Sequence, residues 1–180
     1  MLKSNFKLKV FVAIIIAFLC VNISEAKTAS KIKNISEYFV KVNPSLKAKT
    51  AANYANIIIS ACEKHKQDPY VIAAIIVNES TVNHKAVGGG NYGLMQINWK
   101  AHSAALKKEY KIKKAKQLFD ARINILYGTK VFAYCMSKAN NVLRGALMRY
   151  SGGNEKHATK VLATLKEIQS KDKNTTKKKK

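Results

Sequence analysis

The feature that most constrains the fold is an apolar segment that follows Asp68 and Pro69. An aspartate before a proline is typical of a helix start, because the carboxylate caps free N–H groups and proline fits the first turn. Residues 70–77 are apolar nearly all round, which predicts a helix buried at the centre of the molecule. A buried strand is the alternative for such a β-branched run, but the Asp-Pro start and the pair Ala73-Ala74 favour the helix.

Helical patterns also occur on both sides of this segment, with apolar residues three to four positions apart. They cover residues 45–64, about 100–110, 121–138, 141–150 and 155–169. Asp120 stands directly before one of them, as a helix cap would. Gly88, Gly89 and Gly90 break regular structure. We therefore expect a mostly α-helical domain over residues 41–170, with a small irregular or β-like lobe near residues 85–99; an all-α fold is the alternative.

The N-terminal residues have the composition of a secretory signal. Three lysines precede an apolar run over residues 10–19, and Ser24 and Ala26 are small residues suited to a cleavage site. The interpretation is a signal peptide over residues 1–26, cleaved near Ala26, with the mature protein in the periplasm or secreted. An uncleaved membrane anchor is the alternative, although the run is shorter than the ~20 residues of a spanning helix. A second alternative is a lipid anchor on Cys20, but Leu19 is a poor match to the residue expected just before a lipidated cysteine.

Two further stretches are expected to lack fixed structure. Residues 27–40 begin with polar residues and are interpreted as a flexible lead-in. Residues 171–180 include six lysines and no apolar residue, which predicts a disordered cationic tail.

The formal net charge of +23 indicates an anionic partner. Cell-wall polymers, membranes and nucleic acids all qualify on charge, but the export signal argues against nucleic acid. An exported protein also meets an oxidising compartment, so Cys62 and Cys135 are a possible disulfide. Two buried free thiols are the alternative. The four histidines are scattered and show no metal-site spacing, so we expect surface or structural roles for them.

Glu79 is the leading candidate for a catalytic group. It closes the apolar helix and borders the glycine-rich loop. Burial beside aliphatic side chains disfavours the ionised form of a carboxyl, and a general acid must carry a proton. The plain alternative is a solvated glutamate at a helix end.

The surroundings of Glu79 resemble the soluble lytic transglycosylase family, which has a lysozyme-like fold. The matching segments occur in the family's order: Glu79-Ser80, Gly93-Leu94-Met95-Gln96-Ile97-Asn98, Asn124-Ile125 with Gly128, and Ala146 to Gly153. The Gly-Leu-Met-Gln run about fourteen residues after Glu79 is the strongest of them. The sequence of this motif is most similar to that of small members that accompany secretion systems, conjugation machines and phages. The resemblance therefore implies a partner machine of this kind.

The resemblance implies a role for each matching residue. Glu79 would be the sole catalytic acid, and Ser80 would help to orient it. Met95 and Gln96 would line the cleft beneath the sugar at the reacting bond. Asn124 would be a polar brace near the catalytic helix and Tyr150 would contact Glu79 or substrate. Each has a structural alternative: Met95 and Tyr150 as core, Gln96 as a loop hydrogen bonder and Asn124 as a buried amide.

The sequence departs from the family at four positions. Gly88 stands where many members have a serine thought to hold the substrate's N-acetyl group. Asn91 lies where a small residue is usual, Ser151 replaces an asparagine, and His157 replaces a common tyrosine.

The implied activity is cleavage of the β-1,4 bond between N-acetylmuramic acid and N-acetylglucosamine in peptidoglycan, with 1,6-anhydro ends as products. The resemblance implies no metal or other cofactor, and we expect a monomer. A hydrolytic lysozyme with a second carboxylate is one alternative. A non-catalytic protein for wall binding or secretion assembly is another.

Overall fold

A computed structural model describes the backbone of residues 23–177 and the side chains of residues 23–170. Most of the predicted signal segment, residues 1–22, lies outside the described residues. The helices are α1 (residues 23–42), α2 (Ala48–His65), α3 (Pro69–Ser80), α4 (Trp99–Tyr110), α5 (Ala121–Lys138), α6 (Leu143–Tyr150) and α7 (Glu155–Lys177), with a short 3-10 helix at Ala115–Phe119. This confirms the mostly α-helical class.

Helix α3 lies at the centre, as its composition predicts. Asp68 caps it: the Asp68 carboxylate accepts a hydrogen bond of 2.8 Å from the backbone N–H of Tyr70. Every side chain from 70 to 76 is buried. Helices α2 and α7 pack against α3 and supply its apolar surroundings. The strand alternative is therefore wrong.

Helix α5 spans the residues expected from its spacing, 121–138. Asp120 caps it, accepting a hydrogen bond of 2.9 Å from the backbone N–H of Ile123, as predicted. The helix packs on α2 and α6 and presents one face to the small lobe.

The small lobe is a three-stranded antiparallel sheet, the β-like of the two forms expected for it. Its strands are β1 (Val87–Gly88), β2 (Asn91–Tyr92) and β3 (Ile97–Asn98), in that order. Gly89 and Gly90 form the first turn with φ angles of +56° and +81°. Positive φ at both central residues is the geometry of a two-residue hairpin, which glycine adopts without strain. The strands are too short to show an alternating pattern in sequence.

Two segments expected to lack fixed structure are helical where the structure describes them, and residues 178–180 of the expected tail lie outside the described residues. Residues 27–40, the expected lead-in, lie within helix α1. Ile35 and Phe39 of that helix are completely buried, and the Tyr38 hydroxyl donates a hydrogen bond of 2.8 Å to Glu167 of α7. Burial and Glu167 together raise the pKa of Tyr38 to about 12. At the other end, α7 extends to Lys177, into the stretch expected to be disordered, where no proline or glycine stops it.

Cys62 and Cys135 are both buried free thiols, so the structure does not contain the possible disulfide. Burial raises the pKa of Cys62 to about 12 and shifts that of Cys135 in the same direction. Within residues 23–177, no helix has both the length and the apolar character needed to cross a membrane.

Candidate active site

A groove of about 390 Å³ lies between the sheet lobe and the first turn of α7. One wall is formed by residues of the lobe and α4: Asn91, Gln96, Ile97, Asn98 and His102. The facing wall is formed by the end of α6, the following turn and α7: Tyr150, Ser151, Gly152, Asn154 and His157. Glu79 and Val131 complete the lining. The groove therefore joins segments that are far apart in the sequence.

Glu79 enters the groove because α3 ends there. It is the last residue but one of α3, and Thr81 then takes a left-handed conformation (φ +51°) that turns the chain away. The Glu79 side chain is 18% exposed. Its carboxyl group thus lies between the buried helix and the open groove, as the sequence predicts for this residue.

His157 is the nearest partner of Glu79. Its Nε2 lies 3.1 Å from Oε1 of Glu79, and only 15% of the imidazole side chain is exposed. The two groups are in close contact, but their alignment is not that of a hydrogen bond. This contact was not expected from the sequence, which predicted surface or structural roles for the histidines.

Tyr150 lies on the groove wall next to Glu79. Burial first, and then the negative charge of Glu79, raise the pKa of its hydroxyl well above the usual value. The hydroxyl is therefore a hydrogen-bond donor at neutral pH, and it donates to the backbone carbonyl of Met95 over 2.8 Å. Tyr150 thus ties the end of α6 to the lobe and also lines the groove.

Gln96 lines the groove from the lobe side. Its Nε2 donates to the backbone carbonyls of Ala86 (3.2 Å) and Gly93 (2.9 Å). Both protons of the amide are therefore used within the lobe, and Oε1 is left as the acceptor. A Cβ added to Gly88 would lie 3.3 Å from that Oε1, so the glycine departure leaves space beside the Gln96 amide.

Met95 and Asn124 do not reach the groove. For Met95 this contradicts the cleft-lining role that the resemblance implied, whereas Asn124 is a polar brace, although its bonds hold the lobe and not the catalytic helix. Both side chains are completely buried. Asn124 accepts from the backbone N–H of Met95 (2.8 Å) and donates to the carbonyls of Tyr92 (2.8 Å) and Leu118 (2.9 Å). The amide is a brace between α5 and the lobe, and its three bonds occupy it fully.

The Met95 side chain packs against α5 where Gly128 leaves room. A Cβ at Gly128 would lie 2.5 Å from the Met95 sulfur. Ser80 is also outside the groove, because its hydroxyl donates to the Ile76 carbonyl over 3.0 Å and it borders a different groove. Several of the residues that carry the resemblance therefore hold the lobe in place instead of contacting a ligand.

The turn from α6 to α7 brings His157 to Glu79. Gly152 and Gly153 have φ angles of +68° and +93°, which glycine tolerates best. Asn154 then caps α7 by accepting from the His157 backbone N–H over 3.0 Å. The departure of position 157 from the family pattern was the available sequence signal for this side chain.

His102 is the second histidine that lines the groove, beside His157. Its Nδ1 lies 3.0 Å from the Tyr127 hydroxyl, and burial lowers its pKa. Among the lining residues that the structure describes, Glu79 is the single carboxylate and none is lysine or arginine. The cationic charge of the chain is therefore carried outside this groove.

The family model described as "Transglycosylase SLT domain" matches residues 56–174 of this chain. The match covers well over half of the sequence and includes every residue of the groove. No solved structure matches the chain.

Proposed function

This chain belongs to the transglycosylase SLT domain family, which acts on peptidoglycan and has a lysozyme-like fold, and from that premise we propose that it is a lytic transglycosylase with Glu79 as its acid and base. The observation that carries the proposal is the single carboxylate in the groove. Most glycoside hydrolases use two carboxylates placed on either side of the scissile bond. With one carboxylate, the substrate itself must supply the second reacting group.

The first step is proton transfer to the glycosidic oxygen. Protonated Glu79 donates its proton to the oxygen between N-acetylmuramic acid and N-acetylglucosamine, and the bond from that oxygen to the anomeric carbon breaks. The N-acetyl group of the muramic residue stabilises the positive charge that develops there. A group that lies beside apolar side chains and opens onto a groove is suited to this step.

The second step closes a ring within the sugar. Ionised Glu79 takes the proton of the muramic 6-hydroxyl, whose oxygen bonds to the anomeric carbon. The product is a 1,6-anhydro end, and Glu79 regains its proton. Water is not consumed, so the reaction is that of a lyase.

Side-chain amides of the lobe are the proposed sugar contacts. Asn91 and Asn98 are direct partners in the β2–β3 register, and both line the groove. Asn98 uses its Oδ1 to cap α4, so its NH₂ group remains to donate, while Gln96 has Oε1 remaining to accept. One donor and one acceptor on the same wall match an N-acetyl group, which offers a carbonyl and an N–H. These amides would replace the serine that many family members have at the position of Gly88.

The setting of the reaction is also part of the proposal. Residues 1–26 have the composition of an export signal, and peptidoglycan lies outside the cytoplasmic membrane. The strong positive charge that remains on residues 27–180 would hold the protein on an anionic wall, more weakly as salt rises. The similarity to small members of secretion and conjugation systems suggests such an envelope machine as partner of a monomeric enzyme.

The test is digestion of purified peptidoglycan by the mature chain and by Glu79→Gln. We expect Glu79→Gln to lose at least about 100-fold in rate, because acid catalysis contributes roughly 10²–10⁴. Glu63→Gln is the matched control, since Glu63 is an exposed glutamate outside the groove. Full activity of Glu79→Gln would contradict the proposal.

Binding separates the proposal from its main rival outside catalysis. A non-catalytic wall-binding protein would pull down with peptidoglycan and release no fragments. We expect Glu79→Gln to sediment with peptidoglycan as well as the parent protein does, since the cationic surface is unchanged, and to release no muropeptides.

A further inference from the structure

We infer that His157 is a positioning residue for Glu79: its Nε2–H holds Oε1 of the carboxyl and so fixes the orientation of the acid. The inference rests on the proposed function and adds a second residue to it. The carrying observation is the 3.1 Å contact between Nε2 of His157 and Oε1 of Glu79, made by two side chains that are both more than four-fifths buried.

The fold fixes the position of both partners. Helices α3 and α7 pack along each other, and the Asn78 side chain next to Glu79 donates to the Thr164 hydroxyl over 3.0 Å. At the other end of the contact, Asn154 holds the backbone N–H of His157. The carboxyl and the imidazole are therefore brought together by the main helix packing of the domain, not by a mobile loop.

The imidazole has unused hydrogen-bonding capacity. Neither Nδ1 nor Nε2 is accessible, and neither makes an aligned hydrogen bond with a residue of the described chain. Buried polar atoms are nearly always paired, so an unpaired one calls for an explanation. A small rotation of the ring would align Nε2–H with Oε1 of Glu79.

The rest of the groove offers Glu79 no cationic partner among the described residues. The other titratable groups that face the groove are Tyr150 on α6 and His102 on α4. Tyr150 can carry no positive charge, and burial lowers the pKa of His102, which favours its neutral form. Although the chain has 33 lysines and arginines, none of them lines the groove within the described residues.

The contact with His157 affects how the Glu79 carboxyl can act in the reaction. Glu79 makes no hydrogen bond to another described side chain, so the contact with His157 restrains its orientation. With Oε1 held, Oε2 is the oxygen left for the glycosidic bridge. After the first proton transfer, an Nε2–H group donating to Oε1 would stabilise the carboxylate until it accepts the 6-hydroxyl proton.

The kinetic test compares three variants on soluble glycan strands. We expect His157→Phe to lower kcat by about 10- to 100-fold, less than loss of the acid itself, with KM changed by less than about 2-fold. His157→Gln keeps a donor of similar reach and should recover most of the lost kcat. His84→Gln, outside the groove, is the control. Unchanged kcat in His157→Phe would overturn the inference while leaving the role of Glu79 intact.

A spectroscopic test does not depend on activity. In protein labelled with ¹⁵N-histidine, the ring-nitrogen shifts of His157, assigned by their loss in His157→Gln, report which nitrogen carries the proton. We expect the proton on Nε2, and a clear change of both ring shifts in Glu79→Gln. Identical His157 shifts in the parent and Glu79→Gln would overturn the pair, even if the protein proved inactive on peptidoglycan and the proposed function failed.

Discussion

The helical body, formed by α1–α7, and the sheet lobe, formed by β1–β3, are stabilised in different ways. In the body, Ile72, Ile75 and Ile76 of α3 are completely buried among other apolar side chains. The lobe is fastened by directed polar contacts to its backbone groups, two from Asn124 and one from Tyr150, and the third Asn124 bond goes to Leu118 in the 3-10 helix. Apolar packing tolerates small changes of shape, whereas a hydrogen bond requires atoms at fixed positions. The groove therefore depends on a few polar residues whose loss would displace one of its walls.

The largest expected effect is that of Gly93→Ala. Gly93 has a φ of +79°, and a Cβ there would lie 2.4 Å from the Leu118 carbonyl oxygen and 2.3 Å from the Asn124 amide. We expect a loss of about 3–5 kcal/mol in the free energy of unfolding, or failure to fold. Urea denaturation measures it. Gly152→Ala is the control. A Cβ at Gly152 would contact no other atom, so only the positive φ should cost stability, about 1–2 kcal/mol. Equal effects would show that the lobe is not packed so closely.

Next is the comparison of Asn124→Ala with Ile75→Val. Loss of the amide leaves three backbone groups unpaired, at about 1–3 kcal/mol for each one that stays buried. We expect about 3–5 kcal/mol in total. Ile75→Val removes one methyl group from the body and should cost about 0.5–1.5 kcal/mol. Thermal unfolding of both variants, with activity measured alongside, tests the comparison, and an Asn124→Ala protein as stable as Ile75→Val would contradict it.

Tyr150→Phe is expected to have a smaller effect. It removes only the hydrogen bond to the Met95 carbonyl and keeps the ring. We expect a loss of about 1–2 kcal/mol, since one buried acceptor is left unpaired. Tyr134→Phe is the control because Tyr134 is 63% exposed. If the two variants unfold at the same urea concentration, the Tyr150 contact does not fasten the lobe.

The smallest expected effect is a pH dependence from His102. Burial lowers its pKa, so below the usual histidine value of about 6.5 the unfolded chain binds more protons than the folded one. The free energy of unfolding should therefore fall as pH drops below about 6.5. His65 shifts in the same direction, so the relevant quantity is the difference between the parent and His102→Gln, which should decline less. Identical pH dependence of stability would contradict the burial argument.

The sequence predicted the body better than the lobe because caps and helical periodicity are local signals. Asp68 and Asp120 mark helix starts that the structure confirms. Helix α1 was missed because the polar residues at its beginning hid the spacing of Ile35 and Phe39, which are part of the buried core. The strands of the lobe have two residues each, which is too short for an alternating pattern.

At the candidate site, too, some residues could be predicted from the sequence and others depend on packing. Glu79, Gln96 and Tyr150 were predicted from sequence to lie at the cleft, and the structure brings them to one groove. His157 could not be predicted from local spacing, because its contact with Glu79 joins helices that are remote in the chain. Met95 and Asn124 show the converse limit: residues that mark a family can be structural, and only burial distinguishes them from ligand contacts.

The central claim is that one carboxylate in this groove cleaves a glycan without water, and digestion of peptidoglycan in ¹⁸O-labelled water tests it most directly. The account predicts muramic ends that are one water lighter than a reducing end and carry no label. Reducing muramic ends that contain the isotope would contradict it and would indicate hydrolysis.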